Sequence, residues 1–197
     1  MAACIRLATP SDGASLAEIY APFVLESATS FELEVPDGAE MSRRVESVLT
    51  RTPWLVCMVG DQLAGYAYAS AHRARPAYQW SVEVSAYVHA NRRRGGVGRA
   101  LYRSLFAALT LQRFCNAYAA IALPNPASVG FHQSLGFTSI GIFRRVGYKL
   151  GAWHDVMWLE RSLAPHTVAP TDPIPLSAIA DSLDFARALT VGVPGCI

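Results

Sequence analysis

Tyr87-Val88-His89-Ala90-Asn91-Arg92-Arg93-Arg94-Gly95-Gly96-Val97-Gly98-Arg99 decides how the rest of the chain is read. Before it, Tyr78 to Val88 alternates apolar and polar residues, the period of a long strand. After it, Val97, Leu101, Leu105, Ala108 and Leu109 recur along one helical face up to Leu111. The order is therefore strand, basic glycine-rich turn, helix. Glycines let backbone N–H groups turn inward, and the N-terminus of the following helix supplies positive potential. Such a turn suits a phosphate or pyrophosphate. No Gly-Lys-Ser/Thr follows, so it is not a P-loop, and the three-glycine spacing with a downstream ribose-binding acid is missing too.

Working outward, Ile5-Arg6-Leu7 reads as a strand, and Thr9-Pro10-Ser11-Asp12 starts a helix carrying Leu16, Ile19, Tyr20 and Phe23 on one face. A loop through Thr29-Ser30-Phe31 leads to a second helix with Met41, Val45, Val48 and Leu49. Trp54 to Val59, the turn Gly60-Asp61, and Gln62 to Ser70 form an antiparallel hairpin. His72 to Ala77 reads as loop. On the other side, Asn116 to Leu123 is a strand, Pro124-Asn125-Pro126 opens a helix that ends at Gly136, and Phe137 to Phe143 and Trp153 to Leu159 are the last strands. The sum is an α/β domain over residues 1–163, a mixed sheet flanked by helices. Residues 164–197 look appended: five prolines fall in the last 33 residues, and only Ser177 to Thr190 has the pattern of a short helix.

Composition narrows the function classes. The chain has 197 residues, 52% hydrophobic and 16% charged, enough for one sizeable core and unlike a disordered polar chain. No apolar run spans a bilayer, and the N-terminus has neither the basic start nor the long apolar run of a secretory signal, so a cytoplasmic protein is expected. Cys4, Cys57, Cys115 and Cys196 are scattered without metal-ligand spacing, so no metal is expected. The net charge of +2 and the lack of aromatics among Arg92, Arg93, Arg94, Arg99 and Arg103 argue against nucleic acid.

A second constellation, Asn125-Pro126-Ala127-Ser128-Val129-Gly130-Phe131-His132-Gln133-Ser134-Leu135-Gly136-Phe137, sharpens the first. Together the two segments resemble the signatures of the GNAT N-acetyltransferases: Q/R-x-x-G-x-G/A after a long strand, then N-x-x-S/A-x-x-F/L-Y-x-x-x-G-F. His132 stands where that family usually has tyrosine. Pro53-Trp54-Leu55-Val56, Trp80-Ser81-Val82-Glu83, Gly147-Tyr148-Lys149 and Gly151-Ala152-Trp153-His154-Asp155-Val156 make the phosphinothricin and methionine sulfoximine acetyltransferases the most similar branch. The resemblance runs from about Ile5 to Arg161.

The resemblance implies a mostly antiparallel sheet splayed at an acetyl-CoA site, with acetyl-CoA as co-substrate and direct transfer to the amine of a small amino acid. Backbone groups of Arg93, Arg94, Gly95, Gly96, Val97, Gly98 and Arg99 would hold the pyrophosphate. The strand edge at Tyr87, Val88 and His89 would hold the pantetheine arm, with the Val88 amide near the oxyanion. Asn125 and Ser128 would complete the coenzyme site.

Glu83, an acid inside a strand, is the candidate general base; a solvated carboxylate is the alternative. His132 would protonate the departing thiolate or work with Glu83 through water, or else is a packed histidine. Arg75 and Tyr78 suit an anionic amino acid, with Arg73 and Phe31 assisting. Lys149, the only lysine, and Trp153 fall in a region that in the resembling enzymes lies at a dimer interface, so a homodimer with contributions across it is expected. Two alternatives stay open: transfer to another amine such as a polyamine, aminoglycoside or peptide N-terminus, or a coenzyme-binding module without turnover.

Overall fold

The computed structural model describes residues 3–193. Seven strands form one sheet: β1 (Ala3–Leu7), β2 (Trp54–Val59), β3 (Gln62–Ala71), β4 (Ser81–Val88), β5 (Asn116–Ala122), β6 (Thr138–Lys149) and β7 (Ala152–Ser162). Their order is β1-β2-β3-β4-β5-β7-β6. Every neighbouring pair is antiparallel except β4 with β5, which is parallel.

Two helices cover one face, α1 (Gly13–Leu25) and α2 (Gly38–Leu49), and α3 (Val97–Leu111) covers the other. The Asp37 carboxylate caps α2 by accepting from the Glu40 amide at 2.7 Å, worth ~1 kcal/mol by the usual effect of such caps. Strand alternation divides the core in two. Val82 and Val84 of β4 join Leu101, Leu105 and Leu109 of α3, whereas Trp54, Val56 and Tyr66 pack with Leu16, Ile19, Met41 and Val45 of α1 and α2. Odd-numbered residues of β4, Glu83, Ser85 and Tyr87, consequently belong to the α1/α2 face.

Two boundaries differ from the sequence reading. The strand expected from Tyr78 starts at Ser81, because Pro76–Tyr78 closes a 3₁₀ turn in which the Tyr78 amide donates to the Arg75 carbonyl. The strand expected to end at Phe143 continues to Lys149 and pairs with β7 as a long hairpin. Its middle is hard to read because the register slips between Phe143 and Gly147, where Arg145 has φ +50°. The Asp155 carboxylate holds that irregularity, accepting from the Arg145 amide at 2.8 Å and pairing with Arg144 at 2.6 Å.

The C-terminal segment folds back over α3. It carries α5 (Leu183–Thr190), and Leu176, Phe185 and Ala188 pack on Ala108. The Ser104 hydroxyl donates to the Leu189 carbonyl at 2.7 Å, and the Gln112 side-chain amide bridges the carbonyls of Arg51 and Ile174.

Candidate active site

The site begins where two strands part. β4 and β5 pair only through Ser81↔Asn116, Val82↔Ala117 and Glu83↔Tyr118, although both strands continue for several residues. Beyond Glu83 the sheet is open. The β3–β4 register runs unbroken from Ala71↔Val82 to Gly65↔Val88, and the His89 amide donates to the Ala64 carbonyl at 3.0 Å. In an antiparallel ladder only alternate residues exchange bonds. Tyr87 and His89 are thus committed to β3, while the N–H and C=O groups of Val84, Ala86 and Val88 face the opening. This corrects the expectation for two residues. Tyr87 instead packs edge-on to Tyr20 and Phe23 at centroid distances of 4.9 and 5.0 Å, and the His89 ring accepts from the Asn91 amide at 3.3 Å.

A cleft of about 630 Å³ runs from the opening to the start of α3, lined by Pro22, Phe23, Ala86, Val88, Arg93, Arg94, Gly96, Val97, Gly98, Arg99, Asn125, Ser128 and Phe131 among others. Gly96 caps α3 at φ +84°, a conformation that favours glycine. The first bond closing onto the helix runs from the Ala100 amide to the Gly96 carbonyl, which leaves the amides of Val97, Gly98 and Arg99 directed out of the N-terminus. A Cβ at Gly98 would meet the Phe131 ring at 3.2 Å; glycine keeps this wall of the cleft low. Arg93 lies 5.1 Å over the Phe23 ring, Arg99 is tethered to the Ser134 hydroxyl at 2.8 Å, and Arg94 has no side-chain partner among the described residues. Gly95 belongs to the turn without lining the cleft. Asn125 caps α4 (Pro126–Gln133), its carbonyl oxygen accepting from the Ser128 amide at 3.1 Å, and its NH₂ is left over for the cleft. The cradle fits a pyrophosphate, and the opening fits an amide-bearing arm.

Glu83 stands at the apex of the opening, on its α1/α2 side. Its Oε1 accepts from His72 Nδ1 at 3.0 Å and Arg73 Nη1 at 3.3 Å, and its Oε2 has no partner among the described residues. His72 stacks on Tyr118 at 4.4 Å and meets Tyr78 edge-on at 5.9 Å, and the Arg73 guanidinium lies 5.6 Å over Trp158. One carboxylate oxygen is therefore fixed and the other is free to accept a proton. Arg75 and Tyr78 sit in the adjoining turn, both exposed, and the Arg75 side chain has no partner among the described residues. The sequence reading passed over His72, Tyr118 and Trp158. A signal existed for His72: opposite Ser81 on the ladder, it is the diagonal same-face neighbour of Glu83.

His132 is 7% exposed and turned away from the cleft. Its Nδ1 donates to the Ser128 carbonyl at 2.8 Å, and its Nε2 accepts from the Tyr102 hydroxyl at 3.1 Å. The rings of Tyr102, Phe131 and Phe137 surround it, and burial pushes its pKa below the usual histidine value. With both nitrogens engaged, the imidazole has no free atom for a thiolate or a water. The geometry is that of the packed histidine left open above. It ties α4 to α3.

Phe31 lies against the backbone of Gly147, where a Cβ would clash with its ring, and the neighbouring Ser30 carbonyl accepts from Lys149 Nζ at 2.5 Å. Lys149 is only 5% exposed, and burial pushes its ammonium below the usual lysine range. Its charged end is held within its own chain, which corrects the expectation that it reaches outward. The Ser30 hydroxyl binds Tyr20 at 2.6 Å, and burial pushes the Tyr20 hydroxyl up to about 12. Trp153 is 62% exposed beside Tyr148 on the outer hairpin. Among the described residues, no group of His, Cys, Asp and Glu is arranged to hold a metal ion, and no helix is long and apolar enough to cross a membrane.

The model of the acetyltransferase (GNAT) domain matches residues 5–158. A phosphinothricin N-acetyltransferase of Streptomyces viridochromogenes is 38% identical over 171 residues, covering 86% of this chain and 93% of that one. An L-methionine sulfoximine/L-methionine sulfone acetyltransferase of Salmonella typhimurium is 32% identical, covering 82% and 95%. Among solved structures, a GNAT superfamily phosphinothricin acetyltransferase of Sinorhizobium meliloti in complex with acetyl-CoA is similar with a TM-score of 0.82 and 34% identity, over 90% of this chain and 98% of that one.

Proposed function

Because the chain belongs to the GNAT acetyltransferase family, we propose that it moves the acetyl group of acetyl-CoA to the amine of a small anionic amino acid of the phosphinothricin or methionine sulfoximine kind. Acetyl-CoA brings the thioester carbon that the amine attacks. The observation that carries the reading is Glu83 at the apex of the β4–β5 opening, with Oε2 free. An α-ammonium presented there loses one proton to Oε2, the neutral amine then forms the C–N bond as the C–S bond breaks, and the second proton shed by the new amide nitrogen passes through water to the departing thiolate, so that coenzyme A leaves as the thiol. The Val88 amide, facing the opening, is the donor for charge developing on the carbonyl oxygen. His72 and Arg73 hold Glu83 in place, and the role assigned to His132 is positioning the start of α4 for the coenzyme.

Arg75, unpaired and beside Tyr78, is the proposed partner of the substrate's acidic group. A polycationic acceptor would meet Arg73 and Arg75 as repulsion, which disfavours polyamines and aminoglycosides. Thiol release from acetyl-CoA tests this against phosphinothricin, methionine sulfoximine, methionine sulfone, spermidine and a peptide. Saturable release is expected with the first three, and Arg75→Ala is expected to raise their KM about tenfold, the effect of losing one charge-assisted contact. Release only with spermidine or peptide ends the amino-acid reading.

The outer hairpin exposes Ile140, Phe143, Val146, Tyr148, Leu150 and Trp153, an apolar surface suited to a second copy of this chain. Light scattering is expected to return a dimer, and Trp153→Glu a monomer. A monomeric wild-type protein at working concentration would remove that part of the proposal. The cytoplasm, where acetyl-CoA is available, is the proposed compartment.

A further inference from the structure

Beside the coenzyme cleft lies a second hollow of about 420 Å³, between α3 and the C-terminal end of α4. Arg99, in the first turn of α3, lines both cavities. Arg103, one helical turn further, and Arg161 of β7 complete a basic wall, and no carboxylate lines the hollow.

These cations stand without counter-charges among the described residues. None of Arg99, Arg103 and Arg161 takes part in an ion pair among the described residues, unlike Arg6, Arg44, Arg144 and Arg187. Arg161 is the clearest case. Its guanidinium lies 4.7 Å over the Phe106 ring, its Nε is buried with no partner among the described residues, and one terminal nitrogen occupies space that a Cβ at Gly136 would take. Burial pushes it below the usual arginine range. A partly buried charge without an ion-pair partner carries a desolvation cost, and one kept beside two further arginines is placed for an anion from outside.

We propose that Arg99, Arg103 and Arg161 seat a phosphomonoester, the 3′-phosphate on the ribose of coenzyme A, so that this enzyme distinguishes coenzyme A from its dephospho form. The assignment rests on the acetyl-CoA reading above. With the pyrophosphate at the amides of Val97 to Arg99, the ribose follows at the outer end of the cleft, where Arg99 leads into the hollow. Two or three guanidinium groups match the several acceptor oxygens of a dianionic phosphate, which the pyrophosphate amides do not need.

The test is calorimetric binding of coenzyme A and dephospho-coenzyme A to the wild-type protein and to Arg103→Ala, whose side chain is exposed and whose loss leaves the core untouched. Wild type is expected to bind coenzyme A at least about tenfold more tightly. Arg103→Ala is expected to weaken coenzyme A by about the same factor and to leave dephospho-coenzyme A unchanged. Arg161→Lys, which keeps the charge, is expected to retain part of the preference that Arg161→Ala loses. Equal affinities in wild type, or an equal penalty on both ligands in Arg103→Ala, overturn the assignment while leaving the acetyltransferase reading intact. No binding of either ligand overturns both. If wild type shows no preference and only its affinity for inorganic phosphate falls in Arg103→Ala, the hollow is a free-phosphate site and the assignment is wrong.

Discussion

Glu83→Gln is expected to lower kcat for the amino-acid substrate by about 10²- to 10⁴-fold, the usual contribution of a positioned general base. The substitution is nearly isosteric and keeps an oxygen for His72 Nδ1 and Arg73 Nη1, which now reach Oε1 at 3.0 and 3.3 Å. What disappears is the basic Oε2. KM for acetyl-CoA should stay near the wild-type value, because the pyrophosphate amides and the Val88 edge are untouched. His72→Asn should cost less than Glu83→Gln and change the pH–rate profile, since it alters what holds the carboxylate while the carboxylate remains. Steady-state kinetics over a pH range reads all three. A Glu83→Gln enzyme with kcat near that of wild type would mean that another group, or water, takes the ammonium proton.

The second large effect is on stability. Phe185, 1% exposed, is the central side chain of the cluster joining the C-terminal segment to α3. Phe185→Ala is expected to destabilise the protein by about 3–5 kcal/mol, as large-to-small core changes of this kind do. At about 2–4 °C per kcal/mol for a chain of this size, Tm falls on the order of 10 °C. Calorimetry or thermal melting followed by circular dichroism checks this. Because no residue of the segment lines the coenzyme cleft, the variant should still turn over below its melting range. A Tm within about 2 °C of wild type, under 1 kcal/mol on the same scale, would mean that the segment adds nothing to the fold.

Much of this arrangement was readable from residue patterns because it rests on local rules. The strand–glycine turn–helix unit depends on backbone freedom at Gly96 and Gly98, and Asn125-Pro126 announces a helix start through its capping chemistry. Glu83 stood out because an acid interrupts an apolar strand. Other features depend on contacts distant in sequence. The roles of Tyr87 and His89 required the β3–β4 register, which decides which amides are committed and which are free. His72 lay in a segment read as loop, and only the ladder brings it to Glu83. For His132 the motif was informative and the burial was not, since Tyr102, thirty positions away, supplies its second hydrogen bond. Lys149 looked outward in a polar stretch, yet its partner is Ser30, 119 positions away. The middle of β6 was obscured because its residues are largely exposed and its register slips, so no alternation survives to be read.

The parting of β4 from β5 also bears on how this protein avoids sticking to others. Unpaired strand edges recruit foreign strands, and most proteins hide or blunt them. Here two such edges lie inside the sheet, flanked by the loop after α1 and by the start of α4. A slender chain of amides can still enter and hydrogen-bond to Val84, Ala86 and Val88. On the proposed reading the co-substrate would be the missing strand: bound, it would mend the sheet it reacts in, and departure of the thiol product would restore the gap for the next molecule.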